Sequence, residues 1–315
     1  MENLTLDKVY HAAYVLKSVA RKTDLIGAAG LCPGCDLYLK TENLQVTGSF
    51  KVRGAYYKIS QLTEEEKSKG VIASSAGNHA QGVALAAREN GIPCVICMPD
   101  GAPISKVEAT KAYGAKVCLV KGAYDDAYEY ACQLQEKEGY TFIHPFNDPQ
   151  VIAGQGTIGL EILDQLPDVD VVLVPVGGGG LISGVAYAIK KLRPGCKVYG
   201  VQAAGAPSME ESLKSHEAIT LDAVSTFADG IAVVCCRDVT VGTLEKCITR
   251  AGGKLLREVS LFDIYQGQGI PEDKKSVAFN LVLRSDEGTI TAAQADEEVR
   301  DILAALESEL GAVLR

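Results

Sequence analysis

The sequence predicts an α/β protein, with parallel sheets flanked by helices, followed by a smaller unit of ferredoxin-like βαββαβ order. Three observations carry this expectation. Short apolar runs alternate with helix-patterned stretches between about residues 50 and 202. One such run, Val171-Val-Leu-Val-Pro-Val, opens directly into Gly177-Gly178-Gly179-Gly180. After Gly230 the pattern changes to strand, helix, strand, strand, helix, strand.

Taken in order, Leu6 to Lys22 carries Val9, Ala12, Ala13, Leu16 and Val19 on one face and predicts a helix. Val71-Ile-Ala-Ser reads as a buried strand, followed by Gly77-Asn-His-Ala and an alanine-rich helix. Cys94-Val-Ile-Cys-Met is a second strand, with a helix near Lys106 to Tyr113. Lys116 to Val120 is a third, with a helix near Tyr124 to Glu136. Val169 to Val176 and Lys197 to Gln202 are the fourth and fifth. Buried strands alternating with helices imply parallel pairing through right-handed crossovers. Beyond a boundary near Ile231, strands are expected at Val233 to Cys236, Lys254 to Tyr265, Ser276 to Ser285 and Ala312 to Arg315, with helices at Val241 to Ala251 and Ala292 to Leu310. The expected domains are residues 1–231, with a small lobe at about 50–150 inserted in a large lobe, and residues 232–315.

Composition narrows the function. The 315 residues are 47% apolar and 23% charged, an ordinary globular balance. A net charge of −9 gives no global basic field to recruit nucleic acid. No apolar run approaches a membrane span, and Met1-Glu-Asn-Leu-Thr-Leu-Asp lacks the pattern of a secretory signal, so a cytoplasmic location is expected. Ten irregularly spaced cysteines do not make a disulfide framework. Cys32-Pro-Gly-Cys35 has redox-type spacing. It lies in a turn-like stretch with no evident strand before it, so two surface or packing cysteines are favoured over a redox pair. Cys235-Cys236 reads as strand packing, and four scattered histidines predict no metal site.

The glycine run follows a strand and opens a helix. Backbone N–H groups converge where no side chain intervenes, and a helix N-terminus adds partial positive charge, which suits a phosphate. The spacing matches neither the dinucleotide fingerprint nor the P-loop. A tight turn with close packing is the plainer alternative, but four successive glycines are entropically unfavourable without such a role.

Val46-Thr-Gly-Ser-Phe-Lys-Val-Arg-Gly-Ala55 raises a different point. Ser49 is the expected N-cap, which places Lys51 in the first helical turn. The helix dipole disfavours an ammonium there, and burial lowers its pKa further. Both favour the neutral, nucleophilic amine. Together with a phosphate cradle, that suggests a phosphorylated aldehyde, and pyridoxal phosphate fits. A surface lysine is the alternative, and the neighbouring Arg53 reads as a sign that the segment tolerates charge.

Ser49-Phe50-Lys51-Val-Arg-Gly54, Ser74-Ser75-Ala76-Gly77-Asn78-His79-Ala80-Gln81-Gly82 and Gly177 to Gly180, in that order, resemble the threonine dehydratase (threonine ammonia-lyase) and serine racemase group of fold-type II pyridoxal-phosphate enzymes. Leu39 to Leu44, Ala153 to Thr157 and Phe227 to Gly230 support the match, which covers about residues 5–231. The resemblance implies pyridoxal 5'-phosphate as cofactor, held as a Schiff base on Lys51, with Phe50 beside the ring and Asn78 bonded to its hydroxyl oxygen. Gly177, Gly178, Gly179 and Gly180 would hold the phosphate. Ser75, Ala76, Gly77, Asn78 and His79 would hold the carboxylate of an amino-acid substrate. His79 itself is equally readable as core packing or a helix-start polar residue, and is not read as catalytic.

The implied reaction is β-elimination. The Lys51 amine removes the Cα proton and the β-hydroxyl leaves; hydrolysis then gives ammonia with 2-oxobutyrate from threonine or pyruvate from serine. Racemases of the group place a serine where this chain has Ala76, which favours dehydratase over a serine racemase-like isomerase. Relatives with a divalent-metal site use acidic residues where this chain has Gln202 and Ser208, so no metal is expected. A homo-oligomer is expected from the group's habit.

The group's catalytic body continues past Ala228-Asp-Gly-Ile231 to a late serine-glycine-glycine-asparagine segment, whose serine faces the pyridine nitrogen. This chain lacks that segment, so a C-terminally truncated body is expected; Ser260, Ser276 and Ser285 stand in a different context. Instead, Leu261 to Tyr265, Ile270 to Phe279 and Gly311 to Arg315 resemble the C-terminal anticodon-binding domain of the phenylalanyl-tRNA synthetase β subunit over about residues 232–315. That resemblance implies tRNA contact, and a tRNA-binding module on a relict enzyme body is the competing reading. The segment carries 10 Lys+Arg against 14 Asp+Glu, a net of −4. Lys274, Lys275 and Arg284 are the candidate phosphate contacts, and a solvated charged face explains them as well.

Overall fold

The computed structural model describes residues 4–32, 34–102, 104–122, 124–204, 206–219, 231–236, 238–265, 271, 273–285, 290 and 292–314. It divides into two compact units, one formed by Met1–Asp100 with Lys106–Ser225 and one by Gly101–Ser105 with Thr226–Arg315.

In the first unit the order is α1 (Leu6–Val15), β1 (Leu25–Gly27), β2 (Tyr38–Lys40), α2 (Lys51–Ser60), α3 (Glu64–Lys69), β3 (Val71–Ser74), α4 (Asn78–Glu89), β4 (Cys94–Pro99), α5 (Ile104–Ala112), β5 (Lys116–Val120), α6 (Tyr124–Glu138), β6 (Thr141–Phe142), α7 (Pro149–Gln165), β7 (Val171–Pro175), α8 (Gly180–Leu192), β8 (Lys197–Val201) and α9 (Ser208–Ser215). The first helix is shorter than expected. After Val15 the chain tightens into a 3-10 turn, Leu16–Ser18, and leaves the helix. The Arg21 carbonyl is thereby free to accept bonds from Gln45 and Arg53. The β1–β2 hairpin, α3, β6, α7 and α9 are not among the elements expected from the sequence. Leu39–Leu44 spans the end of β2 and a 3-10 turn, Glu42–Leu44, and Ala153–Thr157 lies inside α7. Phe227–Gly230 lies outside the described residues.

The five expected strands form two parallel sheets. One has the order β5-β4-β3-β6, all parallel. Every residue of β3 and the first five of β4 are buried, as in a sheet covered on both faces. Ile72, Val95 and Cys97 pack on Ala127 and Ala131 of α6. The other is the parallel pair β7–β8, with Val172 and Val174 packed on Ile158 and Ile162 of α7 and Val185 and Ile189 of α8.

Three helices, α2, α7 and α8, cross closely. A Cβ at Gly154 would stand 2.7 Å from the Arg53 carbonyl oxygen, and one at Gly184 2.3 Å from the Ile152 carbonyl oxygen. Only glycine allows α2 against α7, and α7 against α8, at those distances. The helix α7 survives its glycines because of this packing and because Asp148 caps it, accepting the Gln150 and Val151 N–H groups ahead of Pro149 at the first helical position.

The second unit contains β9 (Ile231–Cys236), α10 (Val241–Ala251), β10 (Leu256–Tyr265), β11 (Lys274–Leu283), α11 (Ala292–Leu310) and β12 (Val313–Leu314). The sheet order is β10-β11-β9-β12 and every pairing is antiparallel. That is the expected ferredoxin-like plan. Leu244, Cys247 and Ile248 of α10 and Ile302 and Leu306 of α11 share one core with Cys235, Val277 and Phe279 of the sheet. Lys275 sits in the central strand β11 and is only 9% exposed, so it does not present its ammonium to a phosphate as expected. Arg284 is exposed.

Candidate functional site

Lys51 is the first residue of α2. The cap position belongs to Phe50 rather than Ser49, although the Ser49 hydroxyl accepts the Lys51 N–H at 3.4 Å. The Lys51 Nζ donates to the Pro145 carbonyl at 2.8 Å and lies 5.5 Å from the Phe50 ring centre. Burial pushes its ammonium down to about 8. The helix N-terminus acts in the same direction.

Lys51 and Phe50 line a cavity of about 360 Å³ together with Gly177, Gly178, Gly179 and Gly180. Gly179 has φ +84°, in the left-handed region. A Cβ at Gly178 would stand 2.4 Å from the Phe146 ring, and one at Gly180 2.8 Å from Phe146 Cα. A Cβ at Gly177 would meet nothing within 4 Å. The loop therefore passes close under Phe146 and remains open at Gly177. The N-cap Gly179 gives α8 no side-chain cap, leaving its first-turn N–H groups for an anion.

Ser75, Ala76 and Gly77 link β3 to α4, which starts at Asn78. The Ser75 hydroxyl accepts the Gly77 N–H at 3.2 Å and shapes the loop. Ser75 is buried, Ala76 and Gly77 are half-buried and Asn78 is exposed. None of these four is among the residues lining the cavity around Lys51. They approach Lys51 through the packing of α4 on α2, where a Cβ at Gly82 would stand 3.0 Å from the Lys51 carbonyl carbon. His79 is fully enclosed, and its Nε2 donates to the Ile143 carbonyl at 2.8 Å. Burial pushes its pKa down to about 3, so it stays neutral. This is the core-packing role left open above.

Sequence reasoning missed the segment from Ile143 to Asp148, which ties the site together. Ile143 accepts from His79, Pro145 accepts from Lys51, and Phe146 packs over Gly178 and Gly180. The His144 Nδ1 accepts the Phe146 and Asn147 N–H groups at 3.3 and 2.8 Å, fixing the turn. Asp148 pairs with Lys58 of α2 at 2.9 Å. The Asp148-Pro149 pair, a helix-start signal, was the available clue.

Arg53 corrects another reading. It is 1% exposed, not a surface charge. Its Nε and Nη2 bind the Glu42 carboxylate at 2.8 Å each, and Nη1 and Nη2 bind Glu161 at 2.7 and 3.0 Å. Thr157 and the Arg21 carbonyl take further bonds. This anchors the first turn of α2, and so Lys51, to α7 and the segment after β2. A larger cavity of about 750 Å³ borders Arg53, and four of the charged side chains lining it are taken up in two ion pairs, Arg53 with Glu161 and Lys22 with Asp164. The smaller cavity holds the amine with the depressed pKa, and we assign the chemistry there.

The pyridoxal-phosphate dependent enzyme family matches residues 16–269. The chain belongs to this family. The ferredoxin-fold anticodon binding domain matches residues 227–315, so the two matches overlap at 227–269. The strands of that overlap lie in the ferredoxin-like sheet. The L-threonine ammonia-lyase of Thermotoga maritima is 50% identical over 285 residues, 89% of this chain and 71% of the relative. The catabolic L-threonine dehydratase of Escherichia coli (strain K12) is 52% identical over 202 residues, 64% of this chain and 61% of the relative. Among solved structures, the processed form of threonine deaminase isoform 2 from Solanum lycopersicum superposes with a TM-score of 0.67 at 44% identity, covering 71% of this chain and 64% of that one. Maize serine racemase gives 0.69 at 38%, covering 72% and 69%.

The family's cofactor is pyridoxal 5'-phosphate. The residues present fit it: a glycine loop at an uncapped helix start shares one cavity with a buried amine whose pKa burial lowers to about 8. Where the resemblance looked for acidic metal ligands, the Gln202 side chain accepts the Glu210 N–H at 3.0 Å. Among the described residues no helix is long and apolar enough to cross a membrane.

Proposed function

We infer that this chain is an ammonia-lyase that acts on L-threonine or L-serine by β-elimination, giving 2-oxobutyrate or pyruvate and ammonia. The observation carrying the reading is the buried Lys51 amine facing the glycine cradle of α8 within one cavity. Pyridoxal 5'-phosphate, when bound, supplies an electron sink for the bond broken at the substrate Cα. The protein's own residues do the rest. Gly177 to Gly180 and the first turn of α8 would hold the phosphate, Phe50 would flank the ring and Asn78 would bond its hydroxyl oxygen. Lys51 Nζ takes the Cα proton as general base, and Pro145 O accepts a hydrogen bond from it once charged. The loop Ser75 to His79 receives the substrate carboxylate. Ala76 has no exchangeable proton, which supports elimination over a serine racemase-like exchange. The reading includes a body of residues 1–231, a cytoplasmic location and a homo-oligomer. The test is release of 2-oxobutyrate from threonine by the purified full chain supplied with cofactor, with Lys51→Ala as control. Activity that survives in Lys51→Ala overturns the assignment.

The anticodon-binding match supports a second reading for residues 232–315, a tRNA-binding module of the phenylalanyl-tRNA synthetase β type. Its phosphate contacts would come from Lys274 and Arg284 against a segment net charge of −4. Salt-dependent binding of phenylalanine tRNA by the full chain, weakened in Lys274→Ala/Arg284→Ala, supports it. Binding that is absent at low salt contradicts it.

A further inference from the structure

We propose that Cys32 and Cys35 form a reversible dithiol–disulfide pair that exchanges with low-molecular-weight disulfides. The sequence left this pair without a structural context. The structure supplies one: the two residues stand at the tip of the β1–β2 hairpin. Leu25, Ile26 and Gly27 pair with Lys40, Leu39 and Tyr38, and the Ala28 N–H donates to the Leu37 carbonyl at 2.7 Å, so the base of the loop is fixed. At the tip, the Cys35 N–H donates to the Cys32 carbonyl at 3.4 Å. A turn closed from the first residue to the fourth keeps its end Cα atoms within about 7 Å, inside the span that a disulfide bridges. Gly34 has φ +92°, the left-handed conformation such a reversal uses.

The Cys35 side chain already turns back onto Cys32. The Cys35 thiol donates to the Cys32 carbonyl oxygen at 3.6 Å, so it reaches back across the turn. The neighbouring Cys32 side chain pushes the Cys35 thiol up, which disfavours Cys35 as the attacking sulfur. Access distinguishes this pair from the other cysteines that face each other. Cys97 and Cys118 are opposed on β4 and β5, but Cys97 is fully buried in the core. Cys35 is exposed and Cys32 half-exposed.

The exchange balances without further reagents. The Cys32 thiolate attacks one sulfur of a small disulfide and displaces one small thiol, leaving a mixed disulfide. The Cys35 sulfur then attacks the Cys32 sulfur and displaces the second small thiol. The protein gives up two electrons and two protons, and the small disulfide gains both as two thiols. The hairpin continues through Lys40 to Glu42, which hold Glu161 and Arg53, so the loop carrying the pair leads into the segment that anchors the turn carrying Lys51.

The test equilibrates the full reduced chain with graded ratios of oxidised to reduced glutathione, followed by acid quenching, alkylation and peptide mass mapping. The proposal expects the peptide carrying Cys32 and Cys35 to lose two hydrogens and its alkylation sites as the ratio rises, and to regain them with dithiothreitol. It also expects Cys35→Ser to stop at one glutathione on Cys32. A wild-type peptide that stays doubly alkylated at every ratio overturns the pair, and so does one that accumulates bound glutathione without closing.

Discussion

The two parallel sheets of the first unit are built from the same strand-helix alternation, yet they end differently. In β3 every position is buried, and in β4 all but the last. In β7 the pattern alternates between exposed and buried, and β8 is exposed almost throughout. Val171 is 46%, Leu173 61%, Tyr199 51% and Val201 49% exposed, and Leu173 and Tyr199 are paired in register. The inner strands of one sheet are covered on both faces; the other sheet is covered by α7 and α8 on one face and presents an apolar surface on the other. The sequence runs look alike because an apolar run specifies that a strand is built for burial on both faces, not what covers it. The glycine cradle hangs on the half-covered sheet and Lys51 packs against helices of the fully covered one, so the site draws on both.

The comparison breaks first where cover is complete. Ile96 is fully buried in β4, so Ile96→Ala is expected to lower unfolding free energy by about 2–5 kcal/mol, read from urea denaturation. A loss under about 1 kcal/mol would mean that this sheet is no better packed than its partner. Next is the covered side of the β7–β8 sheet. Gly184→Ala forces a methyl to within 2.3 Å of the Ile152 carbonyl oxygen, and a loss of about 1–3 kcal/mol is expected. On the bare face, Leu173→Lys removes exposed apolar surface and is expected to change stability by less than about 0.5 kcal/mol while reducing binding of a hydrophobic dye. A large destabilisation there would show that the face is covered in solution.

Titration sharpens the picture at the site. Lys51 has its folded pKa lowered to about 8, so the unfolded chain binds the extra proton between pH 8 and 10.5. The folding penalty for holding the ammonium is full below 8 and is relieved as pH rises through that window. The rate at which the amine captures an aldehyde is expected to climb with a midpoint near 8, and a midpoint above 10 would mean that Lys51 is solvated. His79, lowered to about 3 by burial, acts in acid: stability is lost as pH falls from 6.5 toward 3, because the unfolded chain takes the proton and the folded chain does not. His79→Gln is expected to flatten that part of the pH–stability curve.

Much of this was legible before the structure. The strands, the ferredoxin-like order, Lys51 at a helix start and the glycine cradle each depend on neighbours close in sequence. The parts missed depend on distant partners. Arg53 read as a surface charge because Glu42 and Glu161, which bury it, lie 11 and 108 positions away. The segment Ile143 to Phe146 carries no local pattern, since its value lies in reaching Lys51, His79 and Gly178 at once. The helix α7 was hidden by glycines that are poor helix formers and are present because two other helices approach there.

The central claim is that Lys51 and the glycine cradle together form a pyridoxal-phosphate site. It is tested most directly by titrating the purified full chain with pyridoxal 5'-phosphate, following the visible spectrum, and mapping the peptide labelled after borohydride reduction. The account predicts a saturable band and a pyridoxyl label on Lys51, both lost in Lys51→Ala. A folded chain that shows no saturable band, or whose label is spread over surface lysines and is unchanged in Lys51→Ala, would contradict it.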